Sequence, residues 1–425
     1  MTTPTQGSSR RAFLGRTSAA AGLALAGGLN MARVAHAAGG DTIKIALIGA
    51  GGRGTGAASD CLSVDKNVKL VAVADAFADR ANGALGHLKK QHEAQVEVPP
   101  ERVFSGLNSF QQAIDCGIDM VVTAAPPGFR PAHFMAAIKA GKHVFMEKPC
   151  CTDAPGYRTL IAACKLADEK GLKVGVGLQR RHESGYLAGV QQIQEGKIGD
   201  VLFLRCYWNG GDIWLRGRNP GMSEMQFQVH NWYHFVWTGG DNIAEQHVHN
   251  IDVCNWIMND HPIEANGMGG CQVRQRRKES QIFDHHFVEF TYKNGVKMFS
   301  QCRQQPNTFS NVSEHVHGTK GSSGPTAGGG PKLQHGPYQQ EHLELLTAIR
   351  NNTKYNEGWY GATSSFTAVL GRMATYSGQV VKWDDAEKNG PDEQPERLAW
   401  DAMPRAVPNA DGVYPMPIPG VTKPY

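Results

Sequence analysis

Short apolar runs alternate with helical patterns through the first half of the chain. Residues 42–48 form a β-branched apolar run of the kind that becomes a strand buried on both faces. A helical stretch from residue 55 to about 62 follows, then a second apolar run over 68–74 that ends at Asp75. The alternation continues, with strands predicted at 120–125, 143–146 and 172–178 and helices at 133–140 and 156–170. Strand and helix in turn predict an α/β fold whose first domain, residues 41–178, is a doubly wound parallel sheet of the Rossmann type.

Beyond residue 179 the pattern changes. Residues 200–208 alternate apolar and polar positions, as a half-buried strand does, and further strands are predicted at 265–273, 285–292 and 297–303. Asn294-Gly295 marks a hairpin between the last two. The glycine-rich stretch 318–337 reads as a long surface crossing, because helical patterns at 340–350 and 363–380 follow it. Residues 179–425 are therefore expected to form a second domain.

The junction after the first strand carries chemistry. Gly49-Ala50-Gly51-Gly52-Arg53-Gly54 fits G-x-G-x-x-G, and Asp75 lies 21 residues beyond Gly54. Gly49 allows a tight turn, Gly51 lets the backbone approach a pyrophosphate, and Gly54 lets helix and strand pack closely. The helix N-terminus offers N–H groups to the phosphates. Asp75 would accept from the adenosine ribose hydroxyls and repel a 2′-phosphate, so NAD is favoured over NADP. Arg53 is the residue that could answer a 2′-phosphate.

The first residues add a location. Arg10-Arg11, Phe13-Leu14, a mildly apolar run over 19–29 and Ala35-His36-Ala37 are the parts of a twin-arginine signal with its cleavage site, over residues 1–38. The run is too short for a stable membrane anchor. The expected place is therefore periplasmic or secreted, reached folded through the twin-arginine export machinery. Taking away the four leader arginines leaves 39 basic against 39 acidic residues, which gives no reason to expect a nucleic-acid partner. The nine cysteines lack CxxC spacing and read mostly as buried thiols.

The glycine loop, Pro126-Pro127 with His133 after it, and Ala140-Gly-Lys-His-Val-Phe-Met-Glu147-Lys148-Pro149 resemble the Gfo/Idh/MocA oxidoreductases, from about residue 43 to 383. The resemblance implies a C-terminal α+β domain with an open, mostly antiparallel sheet whose face covers the nicotinamide. It also implies a sugar or polyol substrate, a homo-oligomer, cofactor contacts at Pro126, His133 and Glu147, and a Lys148 that touches both the reacting hydroxyl and the nicotinamide ribose. Family members carry an acid four residues before a histidine; this chain has Glu245 and His249, with Asp252 one turn on.

At helical spacing, residues 245, 249 and 252 are expected on one face. His249 suits the removal of a hydroxyl proton, and Glu245 or Asp252 would orient its ring. His247 and His249 point apart on a helix, so no metal is expected. Asn209, Arg216, His230 and Tyr233, from stretches rich in aromatic and hydrogen-bonding groups, are the expected substrate contacts. Three functions follow: hydride transfer by a tightly bound NAD, net glycoside hydrolysis through transient oxidation with Tyr233 or His230 serving the elimination, or sugar binding without turnover.

Overall fold

The computed structural model describes residues 42–273, 277–326 and 329–425. The expected export leader, residues 1–38, lies outside the described residues. The first sheet is built from β1 (Ile43–Ile48), β2 (Val68–Asp75), β3 (Val103–Ser105), β4 (Met120–Thr123), β5 (His143–Met146) and β6 (Val174–Val176). Its order is β3-β2-β1-β4-β5-β6 and every pairing is parallel. Between these strands run α1 (Gly52–Val64), α2 (Ala78–Gln91), α3 (Ser109–Asp115), α4 (Arg130–Lys139) and α5 (Ala154–Lys170). Ile45, Leu47, Val73, Val122 and Phe145 are fully buried, as a sheet with helices on both faces requires. The chain reverses between β1 and β4, and ligands bind beyond the carboxyl ends of the strands at such a switch.

After α6 (Ser184–Gln194), β7 (Val201–Gly210) starts the second sheet. Four short helices intervene: α7 (Glu224–His230), α8 (Val236–Gly239), α9 (Asn242–Glu245) and α10 (Val248–Met258). Then come β8 (Pro262–Gly270), β9 (His285–Tyr292), β10 (Lys297–Gln304), β11 (Asn311–Gly318) and β12 (Gly321–Ser323). The chain finishes with α11 (Pro337–Arg350), α12 (Gly358–Ser377), β13 (Val381–Lys382) and α13 (Trp383–Asn389). The sheet order is β12-β11-β7-β10-β9-β8-β13, antiparallel throughout except for the β10–β7 pair. Leu204 and Cys206 of β7 face the helices and are fully buried, while Phe203, Arg205 and Tyr207 on the other face are half-buried.

Two features depart from the sequence pattern. The helix expected across residues 245–252 is broken at Gln246-His247, so Glu245 closes α9 and His249 and Asp252 belong to α10. The glycine-rich crossing begins later than expected, because β11 and β12 occupy residues 311–318 and 321–323. All nine cysteines are free and seven are buried. No helix among the described residues is long and apolar enough to cross a membrane.

One buried ion cluster ties α11 to the end of β6. His182 Nδ1 lies 2.8 Å from Glu344 and its Nε2 3.2 Å from Glu357, while Glu357 also accepts from the backbone N–H of Val176 at 2.8 Å. Against the opposing effect of burial, these carboxylates push the His182 pKa up to about 10. Its folded value is raised, so the stabilisation is complete below the unfolded value of about 6.5 and lost as pH rises through 10. Thermal midpoints should therefore fall between pH 7 and 10 in the wild type. His182→Gln should lower the midpoint at pH 7 by about 5 °C and flatten that alkaline fall. An unchanged alkaline slope in the variant would show that His182 is not its source.

Candidate active site

The glycine loop is held by steric limits. Gly49 has φ +87°, and a Cβ there would lie 2.3 Å from the backbone nitrogen of Ala125. A Cβ at Gly54 would lie 1.8 Å from the Gly49 carbonyl oxygen, so helix α1 packs directly on the turn. Gly52 has open space at its α-carbon, a Cβ on Gly51 would meet only Arg80 Nη1 at 3.9 Å, and the N-terminus of α1 has no side-chain cap. Its N–H groups are thus presented to a ligand with a positive dipole end behind them.

Asp75 closes β2 beside this loop. Its Oδ2 accepts from Ala50 N at 2.7 Å and its Oδ1 from Phe77 N at 2.9 Å, leaving each oxygen a further lone pair for a ribose hydroxyl. Burial pushes the carboxyl pKa up, opposed by those two N–H donors and by Arg80. A cleft lined by Gly49, Gly51, Gly52, Gly54, Asp75 and Pro126 runs along the strand ends, with Arg53, His133, Arg216 and Trp214 also in its wall. Open glycines, uncapped N–H groups and a carboxylate at the ribose position fit NAD.

Arg53 is engaged elsewhere. Its Nε donates to Glu147 at 2.6 Å, a second nitrogen lies 3.7 Å from Asp60, and its guanidinium sits 4.6 Å from the ring centre of Tyr338. A group so paired offers no dedicated site for a 2′-phosphate. Glu147, the acid of the E-K-P stretch, likewise spends one oxygen on Arg53. His133 stacks on Phe110 with ring centres 4.2 Å apart, and burial followed by Arg130 pushes its pKa down to about 3, so it is a neutral wall of the cleft.

One strand further along the sheet, β5 delivers Lys148. Its Nζ donates to the Glu245 carbonyl oxygen at 2.7 Å and lies 3.3 Å from Glu245 Oε1. Glu245 Oε2 is buried without a partner. His249 is buried too, its ring stacked on Trp208 with centres 5.9 Å apart and its Nδ1 without a partner. Burial first, then the charges of Lys148, Arg180 and Arg53, hold its pKa well below the usual histidine value. His249 is therefore a neutral imidazole among cations.

Several expected contacts are placed elsewhere. Asp252 receives both nitrogens of Arg181 at 2.9 Å and Ser364 Oγ at 2.8 Å, so it fixes the segment after β6 and does not orient His249. Asn209 lies on the β7 face opposite Trp208 and donates to Gln301 at 3.1 Å. Tyr233 is buried in an apolar cluster with Val236 and Phe283, its hydroxyl bonded to Gln304 at 2.6 Å. Arg216 and His230 stand at the adenosine end of the cleft: His230 meets the Phe77 ring at 5.5 Å and Arg216 donates to the His230 carbonyl at 2.8 Å. The four do not form one substrate pocket, because the loop after β7 folds toward Asp75 and away from Lys148.

Arg180 was not among the expected site residues. It pairs with Glu314, a carboxylate that also receives Tyr186 and Asn250, and its guanidinium lies 6.0 Å from the Trp208 ring that backs His249. The signal was its position just past the carboxyl end of β6, where such sheets bind ligands. The other histidines are dispersed: His247 bonds Ser300 at 2.8 Å, His285 pairs with Asp284, His286 with Thr375 and His317 with Arg205. Among the described residues no group of three or more His, Cys, Asp or Glu side chains is arranged to hold a metal ion.

Two family models match the chain: the oxidoreductase family NAD-binding Rossmann fold over residues 43–178 and the GFO/IDH/MocA C-terminal domain over 186–323. An inositol 2-dehydrogenase of Klebsiella pneumoniae is 29% identical over 270 residues, covering 62% of this chain and 68% of the relative. Inositol 2-dehydrogenase 3 of Saccharopolyspora erythraea is also 29% identical over 270 residues, with the same shares covered. Among solved structures, scyllo-inositol dehydrogenase of Lactobacillus casei with NAD(H) and scyllo-inositol superposes with a TM-score of 0.63 at 20% identity, covering 80% of this chain and 99% of that one. An aldose-aldose oxidoreductase of Caulobacter crescentus gives 0.62 at 16% identity, covering 80% and 99%. At these identities the two structures show a shared fold.

Removing the ribose acceptor tests the cofactor end. Asp75→Ala should weaken NAD by about 10- to 100-fold while lessening the discrimination against NADP, measured by calorimetric titration of cofactor-free protein. Equal NAD affinity in wild type and variant would rule out the ribose role of Asp75.

Proposed function

The chain belongs to the Gfo/Idh/MocA oxidoreductase family and binds NAD, and from that premise we propose that it moves hydride between a retained NAD and a hydroxyl-bearing carbon of a polyol or sugar. The observation that carries this reading is the meeting of Lys148, Glu245 and His249 one strand beyond the cofactor cleft. NAD, when bound, supplies the two-electron acceptor or donor. Proton handling falls to the chain. His249, held neutral, takes the proton of the substrate hydroxyl on its imidazole as the carbon is oxidised, and returns it in the reverse direction. Lys148 has three donors; two are directed at Glu245, which leaves one for the substrate oxygen. Its charge stabilises the developing alkoxide, an effect strengthened by the buried surroundings. Glu245 fixes the ammonium group through both its carbonyl and its carboxylate.

The charges around this centre suit a neutral substrate. Lys148 faces Glu245, Arg180 faces Glu314, Arg53 faces Glu147 and Arg181 faces Asp252. No surplus cation remains in this set for a phosphate or carboxylate on the substrate. The inositol dehydrogenases among the relatives support a polyol. Net redox chemistry is favoured over glycoside hydrolysis because Tyr233 and His230, the groups that an elimination step would use, lie in the core and at the adenosine end. An enzyme is favoured over a binding module, since binding alone needs no desolvated imidazole beside a lysine.

The twin-arginine leader complements this reading. An enzyme folded in the cytoplasm and exported to the periplasm carries its NAD with it and resets it with a second carbohydrate. The half-buried face of the second sheet, where the Phe203 ring meets both Phe299 and His317, is a surface suited to self-association.

Purified mature protein, denatured and analysed by mass spectrometry, should release stoichiometric NAD or NADH. Lys148→Ala should lower kcat by about 10²–10⁴-fold with much less change in bound nucleotide. Because burial, and then nearby cations, hold His249 neutral, kcat/KM for oxidation should stay level through pH 6.5, where an ordinary histidine would protonate. Arg180→Gln removes one depressing charge, so the acid limb should move to higher pH. An inflection near 6.5 in the wild type, unmoved by Arg180→Gln, would remove His249 from this role.

A further inference from the structure

The last segment of the chain, from Gly390 onward, has neither helix nor strand, yet it is fastened along its length. Glu393 N donates to Asp153 at 3.1 Å, Gln394 Nε2 to the Trp237 carbonyl at 3.1 Å, and Gln228 Nε2 to the Ala406 carbonyl at 2.7 Å. Tyr414 N donates to the Lys278 carbonyl at 3.1 Å and Gly420 N to the Ser377 carbonyl at 2.8 Å. Ala402 and Tyr414 are buried with Phe227, Phe235 and Trp237. Between these anchors the segment passes the loop after β3, where Leu398 and Trp400 line one cavity with Leu107 and Asn108. There the Trp400 ring lies against Phe77, with centres 5.5 Å apart.

Phe77 is two residues beyond Asp75 and lines the cofactor cleft. The opposite wall comes from the loop after β7. Its Trp214 carbonyl is bonded by His234 at 2.7 Å, and the backbone of Arg216 exchanges two hydrogen bonds with the Asn231 amide at 2.7 and 3.1 Å. The Arg216 guanidinium lies 3.8 Å from the centre of the Trp214 ring. On the side of α2, Arg80 lies 5.5 Å from the Phe77 ring centre, and its Nη1 overhangs the glycine loop, 3.9 Å from where a Cβ on Gly51 would be. Burial first, and then the Arg80 charge, hold Arg216 and His230 below their usual pKa values, and Arg80 and Arg216 both belong to the cleft wall. A flat, electron-rich purine between them would replace their mutual repulsion with two guanidinium-on-π contacts.

We propose that Arg80, Trp214 and Arg216 form an enclosed adenine subsite, and that Trp400 of the C-terminal segment locks it by fixing Phe77, so that NAD is retained between turnovers. The inference rests on the captive-cofactor reading above and names the part of this chain that does the holding. Escape of the nucleotide requires the wall after β7 to separate from Phe77, and the fastened segment resists that separation.

The test measures release of NADH from full-length mature protein by the loss of its bound fluorescence after mixing with excess NAD. Nucleotide content after gel filtration and thermal midpoints are measured in parallel. Wild type and Trp400→Phe should retain stoichiometric nucleotide. Trp400→Ala and Arg216→Gln should release it at least about tenfold faster. If the wild type retains NAD and folded Trp400→Ala and Arg216→Gln release it at the wild-type rate, the subsite is overturned and the captive cofactor stands. Should the wild type itself lose its nucleotide on gel filtration, both fall. If Trp400→Ala does not fold, Arg216→Gln decides alone: release at the wild-type rate overturns the subsite.

Discussion

A backbone contact between Gly49 and Gly54 sets the position of everything else in the cofactor site. The Gly49 carbonyl occupies the place where a side chain on residue 54 would begin, and Gly49 itself presses on the backbone of Ala125. Three elements, β1, α1 and the end of β4, therefore converge within one turn of chain. That convergence aims the N-terminus of α1 along the strand ends and brings Asp75 within 2.7 Å of Ala50 N. A methyl group at residue 54 would have to move backbone, which a close-packed interior resists. The reaction groups inherit this placement, since Lys148 leaves the sheet one strand beyond β4 and its neighbour Glu147 holds Arg53 of the loop.

Around that frame several buried charges are arranged in pairs, while Glu341 is buried with neither carboxylate oxygen hydrogen-bonded. Single buried ions carry a desolvation cost of several kcal/mol, and a matched partner offsets much of it. Arg181 with Asp252 and His182 with Glu344 and Glu357 serve the architecture, anchoring the chain after β6 and the returning helix α11. Lys148 with Glu245 and Arg180 with Glu314 stand beside His249, which has no carboxylate of its own and stays neutral. The proposed division of roles rests on this environment: a lysine beside a carboxylate to steady an alkoxide, and a neutral histidine to accept a proton.

Much of this was legible from residue patterns. Apolar runs bounded by glycine and proline located five strands of the first sheet, and the spacing from Gly54 predicted an acid that the structure places beside the glycine loop. The E-K-P stretch pointed to Lys148 by resemblance, and the structure sets that residue against Glu245. Helical periodicity failed across residues 245–252, because a pattern of side-chain types carries no signal for the break at Gln246-His247. Asn209 was misjudged because alternation along β7 alone does not say which face meets the substrate. Tyr233, Arg216 and His230 were grouped by closeness in sequence, yet the loop after β7 sends them to different places. His315 and His317 lie in a strand pattern, but the full extent of β11 is set by tertiary pairing of its polar positions with Arg180 and Arg205. The C-terminal segment was silent, since its order comes from hydrogen bonds to distant elements and not from local repeats.

The account stands on a resident NAD that a neutral carbohydrate can reduce in place. The most direct measurement mixes purified protein, with no cofactor added, against a panel of inositols, aldoses and glycosides while following the near-ultraviolet absorbance of reduced nicotinamide. The account predicts a single-turnover rise equal to the enzyme concentration with at least one member, reversed by adding an oxidised carbohydrate. Protein that carries stoichiometric oxidised NAD and gives no rise with any of them, while cleaving a glycoside or merely binding a sugar, would contradict it.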